Sequence, residues 1–202
     1  MTDPDTRIWQ ISVAPWIIQD GNYPDFRVNR DPVAFAVEFY SIRGLRKSTA
    51  PATNAVSLSG SEYTVGAKVV HLTDKWWVID FGIMAYCEET PPQNISVGDY
   101  VRGDVDLGID PFFYFEYLCK SEHSPALTYD WEIVSILHRK APVIEAPGGK
   151  TLIPDKTREI TCPISHTDAW HEDCEHAFVV DYGLECRPLG GPRFPGSPGN
   201  RP

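Results

Sequence analysis

Six soft or borderline metal ligands fall between residues 162 and 186: Cys162, His166, His171, Cys174, His176 and Cys186. Zinc takes four such ligands in a tetrahedron, usually from two short clusters. The grouping here would be Cys162 with His166, then Cys174 with His176 or Cys186. The spacings do not reproduce the paired knuckles of a structural zinc site, and only His171 and Cys174 come close. The stretch HEDCEH also opens like the metalloprotease helix motif HExxH, but Glu175 stands where the second histidine is needed. Read as chemistry, the segment describes a small metal-dependent hydrolase. His166, His171, Cys174 and His176 would hold zinc or another divalent metal, with Glu172 or Asp168 as the general base that takes a proton from metal-bound water. Read without chemistry, it is a polar loop whose histidines hydrogen-bond locally.

Carboxylates form the second candidate. Asp104 and Asp106 sit two apart in an alternating stretch, so they share one strand face at roughly 6–7 Å. Asp110 follows in a turn, and Glu116 is close in sequence. Paired carboxylates can hold a hard cation or do acid–base work. They are equally a solvated strand face, which Arg102 would partly neutralise. Covalent catalysis finds little support: there is no GxSxG elbow, and Cys174 has only a sequence-local histidine as a base.

The balance of 18 basic against 28 acidic residues gives a net charge of −10, which counts against a phosphate-backbone binder. The aromatic run 112–117 would place Phe113 and Phe115 in a core and Tyr114 and Tyr117 outside. Yet acids rather than lysines surround it, and the basic patch is limited to Arg43, Arg46 and Lys47. No phosphate loop is present, because APGGK lacks the required spacing. A strongly acidic surface steers toward a basic protein. The leading expectation is therefore a non-enzymatic binding module that takes, and neutralises, a basic partner and needs no cofactor. Its contacts would come from Asp104, Asp106, Tyr114, Asp168, Trp170, Glu172 and Asp173. A small-molecule substrate enters only under the hydrolase reading. A third class is assembly, through a strand edge that adds a partner strand.

The elements that must position these residues are mostly strands. Val33, Phe35, Val37 and Phe39 alternate with smaller or polar residues, a period of two. Gly66–Leu72, Trp76–Cys87, Asp99–Leu107, Phe112–Leu118 and Trp131–His138 repeat the pattern. Trp77, Ile79, Phe81, Ile83, Ala85 and Cys87 make one unbroken apolar face, with Gly82 marking a bulge or coil. No stretch from 33 to 140 holds a helical period. Short strands with Gly and Pro punctuation predict a small, strongly coiled antiparallel barrel, OB-like or SH3-like, with an acidic C-terminal extension. The expected organisation is an arm over 1–32 packed on the barrel, the barrel over 33–140, a linker or long loop over 141–154, an acidic Cys/His-containing extension with one strand over 155–186, and a disordered Pro/Gly tail over 187–202. Five cysteines, an odd count, and an N-terminus without an apolar run predict a reduced, cytoplasmic protein. No stretch approaches the roughly 20 apolar residues of a membrane helix.

Overall fold

A computed structural model describes residues 7–146, 148–149, 151–171 and 178–196. The strands are β1 (Trp9–Val13), β2 (Val33–Phe35), β3 (Val37–Ser41), β4 (Arg46–Ser48), β5 (Asn54–Ser59), β6 (Glu62–Leu72), β7 (Trp77–Asp80), β8 (Met84–Cys87), β9 (Tyr100–Ile109), β10 (Tyr129–Glu145), β11 (Leu152–Pro154), β12 (Ile160–Ile164) and β13 (Phe178–Pro188). Two short helices, α1 (Pro15–Gln19) and α2 (Phe113–Glu116), join them. No helix among the described residues is long and apolar enough to cross a membrane.

The fold is mixed and mainly β, with a closed five-strand barrel as its core and extra strands around it. β6 pairs with β7, β7 with β8, β8 with β3, β3 with β9, and β9 returns to β6. Every pairing in this ring is antiparallel except β3 with β8. Alternation supplies the interior: Val37, Phe39, Val65, Ala67, Val69, Trp77, Ile79, Ala85, Val101, Val105 and Leu107 all point into one buried cluster. Burying such a set is the main favourable term holding the ring shut.

The extra strands make a second circuit of pairings. β1 meets the end of β9 in parallel at Ser12 and Gly108, then pairs antiparallel with β13. β13 pairs along β10, and β10 pairs with β2. Ala36 alone separates β2 from β3, so the circuit ends on the strand that opens the barrel. Phe35 stacks on Trp131 at 5.1 Å, and the indole Nε1–H of Trp131 donates to the Phe35 carbonyl at 3.1 Å. That contact fixes where the bent strand leaves one circuit for the other.

Several expectations change. The arm 1–32 does more than pack on the barrel: β1 lies between β9 and β13 within the sheet. Trp76–Cys87 is a hairpin, turned at Gly82 with φ of 115°. The aromatic run 112–118 is not a strand: α2 and a 3-10 turn at Leu118–Lys120 replace it. These cap a second apolar cluster of Ala36, Trp76, Val78, Tyr86, Tyr114 and Leu127 on the outside of β7 and β8. In 141–154, expected as a linker, Val143–Glu145 and Leu152–Pro154 pair as a ribbon. The extension carries β11, β12 and β13 rather than one strand. Part of the expected tail is ordered: Arg187 and Pro188 belong to β13, and the Arg193 guanidinium clasps Asp130 through Nε at 3.1 Å and Nη2 at 2.6 Å.

Candidate functional site

The residues that fill the barrel dictate what faces outward. If Phe39, Val105 and Tyr63 point in, their neighbours Tyr40, Asp106 and Glu62 point out, and the register sets these three side by side across β3, β9 and β6. The next row holds Asp104 on β9, Thr64 on β6 and Val56 on β5. Thr64 Oγ1–H donates to Asp104 Oδ1 at 2.6 Å. Arg43 stands 3.8 Å from Asp104 Oδ2 with a mostly exposed side chain, so this pair adds little. The outer face is thus an acidic stripe, with half-exposed Tyr40 on one flank and exposed Val56 on the other.

Beside the stripe lies a cleft of about 400 Å³, lined by the β5–β6 turn and by residues of β9, β10, β12 and β13. Glu62, Asp106, Glu159 and Asp181 contribute carboxylates and Arg139 one guanidinium. Arg139 Nη2–H donates to Asp181 Oδ2 at 2.5 Å. Gly60 has φ of 55°, and a Cβ there would come within 2.7 Å of Arg139 Nη1. The turn therefore favours glycine for its left-handed backbone, and any side chain there would push the end of Arg139 aside. Burial pushes the Asp181 carboxyl up to about 6, against the pull of Arg139 and with a further push from the Asp106 charge. Asp106 Oδ1 and Arg139 Nε are both buried and meet no hydrogen-bond partner among the described residues.

A second group of carboxylates sits at the cap. Asp110 is fully buried. Its Oδ1 accepts from the Tyr86 hydroxyl at 2.6 Å and the Tyr114 amide at 3.1 Å. The same Tyr86 hydroxyl reaches Glu38 Oε2 at 3.5 Å, and Tyr40 donates to Glu38 Oε1 at 2.5 Å. Burial raises the Glu38 carboxyl to about 7, and the Asp110 and Glu88 charges add to it while hydroxyl donors oppose it. The Tyr86 hydroxyl is driven far above its ordinary range by burial and by Asp110. Among the described residues no cation neutralises this group; hydroxyls and backbone amides surround it.

Of the residues singled out from sequence, Asp104 and Asp106 do share the outer face. Tyr114 does not belong to a contact surface: it is fully buried, and its hydroxyl donates to the Pro125 carbonyl at 2.8 Å. Its place on a helical turn, not a strand, is the reason. Asp168 and Trp170 are exposed. His166 is exposed, its Nδ1 3.1 Å from Ser165 Oγ. His171 closes a 3-10 turn. Glu172, Asp173, Cys174 and His176 lie outside the described residues. Among the described residues, no three His, Cys, Asp or Glu side chains are grouped so that they could hold a metal ion. Cys186 is buried in the core, and burial pushes its thiol well up. Sequence reasoning missed Arg139, Asp181, Glu62, Glu159 and Gly60. Only the β10–β13 register, which sets Arg139 opposite Asp181, brings the ion pair together.

No protein-family model matches the chain, and no curated protein or solved structure is significantly similar to it.

Proposed function

We propose that the protein is a non-enzymatic binding module whose acidic face and cleft take a cationic side chain of a basic protein partner. Asp106 carries the reading. It belongs to both the outer stripe and the cleft wall, and its buried Oδ1 accepts no hydrogen bond from the described residues. A buried acceptor left open costs about 1–3 kcal/mol, and a guanidinium or ammonium N–H would fill it. Four carboxylates against one guanidinium leave the cleft negative, which favours a cation over an anion. We further read the barrel as OB-like. Its ring, with one parallel closure, has the pairing order of an OB barrel whose last strand has moved to the front of the chain.

An oligo-arginine peptide tests the reading by calorimetry. Wild-type protein binds it, and binding weakens with added salt. Asp106→Asn weakens it about tenfold, whereas Glu122→Gln, which removes the same charge from a fully exposed position, changes it little. Equal loss in both variants would reduce the effect to net charge and overturn the site.

A further inference from the structure

We infer that the protein partner presents a carboxylate as well as a cation, and that Arg46 and Arg102 seat the carboxylate on the same outer face. This rests on the cationic reading of the stripe and cleft.

The alternation that turns Asp104 and Asp106 outward on β9 turns Arg102 outward too, and the β4 register places Arg46 directly across from it. Both side chains are exposed. Like charges directly opposite on a sheet cost stability, and this chain has 28 acidic residues from which to place a carboxylate between them. None of the neighbours supplies one. Opposite Arg102 on β6 is Gly66, where a Cβ would come within 2.7 Å of Asn54 Oδ1. Two residues back along β9 is Tyr100. Two residues forward is Asp104, but its Oδ1 accepts from Thr64 and its Oδ2 faces Arg43. Arg46 and Arg102 accordingly form no ion pair or side-chain hydrogen bond with any described residue.

The same surroundings select the ligand. Two guanidiniums side by side present N–H groups that match a carboxylate. A longer polyanion has no track to follow: Asp104 and Asp106 lie on one side, and Asp80 stands beside Lys68 on the other. The face is thus a dipole along β9, cationic at Arg102 and anionic at Asp106, with the two ends about 13 Å apart. A partner that matches it carries a carboxylate and a cation at that separation, as residues i and i+4 of an extended segment do. Two charges in a fixed order set the direction in which the partner docks, which a cation alone leaves open.

Two peptides test this by calorimetry on the full chain. Both carry an arginine pair; four residues away one has a glutamate and the other a glutamine. Net charge alone makes the glutamate peptide the weaker ligand of a chain at −10. The dipolar face makes it the tighter one, by about threefold. Arg46→Gln and Arg102→Gln each reverse that order while binding oligo-arginine at least as well as wild type, since both side chains are exposed and stand outside the cleft. Moving the glutamate next to the arginines removes its advantage. A wild-type preference for the glutamine peptide, with oligo-arginine still bound, overturns the inference and leaves the cleft reading standing. Failure of every arginine peptide to bind overturns both. An advantage that survives the two substitutions also overturns the inference, because the carboxylate would then sit elsewhere.

Discussion

The cleft and the cap each gather carboxylates at the barrel wall, but on opposite terms. In the cleft, Asp181 meets the Arg139 guanidinium, and Asp106 keeps an open acceptor. At the cap, Glu38 and Asp110 meet tyrosine hydroxyls and backbone amides but no cation among the described residues, and Asp110 Oδ2, too, is a buried acceptor left open. A carboxylate beside a fixed cation keeps its charge above about pH 6, which suits a site that attracts a cation. Glu38, beside neutral donors, holds a proton up to about neutrality, and burial pushes the Asp110 carboxyl up as well, which suits a joint. The same residue type serves recognition in one place and mechanical attachment in the other, and the difference lies in what each was given to bond.

Four substitutions would break or sharpen this contrast. Asp110→Ala has the largest expected effect, a loss of about 3 kcal/mol in urea unfolding, because it orphans the Tyr86 hydroxyl and the Tyr114 amide in a buried site. A loss below about 1 kcal/mol would show that the apolar cluster holds the cap without it. Arg139→Met comes next. It leaves Asp181 without its cation and costs about 1–2 kcal/mol near pH 8, a figure already reduced for the water that reaches Asp181. The cost shrinks below pH 6, where Asp181 takes up a proton, and unfolding curves on both sides of that value read the difference.

Glu38→Gln works in the other direction. The folded protein holds the Glu38 proton up to about 7, whereas the unfolded chain releases it above 4.5. Folding therefore binds a proton in that window, and wild-type stability falls as pH rises through it. Glutamine removes the penalty, so the variant is about 1 kcal/mol more stable than wild type near pH 8 and equal to it near pH 4. Thermal melts at the two values measure it, and an unchanged pH profile would mean that Glu38 is not what the cap protonates. Arg43→Ala should change stability by less than about 0.5 kcal/mol, because its 3.8 Å pair with Asp104 is exposed to water.

Alternation made much of the barrel legible in the sequence, and it also explains the errors. Trp77, Ile79, Phe81, Ile83, Ala85 and Cys87 are all buried, as one apolar face requires. Yet the run folds back on itself at Gly82. The hairpin pairs Trp77 with Cys87 and Ile79 with Ala85, odd with odd, so parity survives the turn and the pattern cannot reveal it. The aromatic run 112–117 carries high strand propensity, but the Asp110 side chain takes the Tyr114 amide and turns the chain instead. That competition depends on a cluster built from Glu38, Tyr86 and Asp110, far apart in sequence. The two carboxylates of the outer face were readable because they share one strand. The remainder of the cleft was not, since β10 and β13 must pair before Arg139 has anything to hold.

The position of β1 bears on how this chain is made. The barrel ring uses nothing beyond Ile109, so it can close while later residues are still being synthesised. β1 is synthesised before the ring, but its antiparallel partner is β13, which ends at Pro188. Until then Ile11 and Val13 have a barrel to lean on and one edge with no strand to pair. A ribosome stalled between the two should therefore present a closed barrel with a sticky N-terminal strand, the state a chaperone would bind and the finished protein would never show.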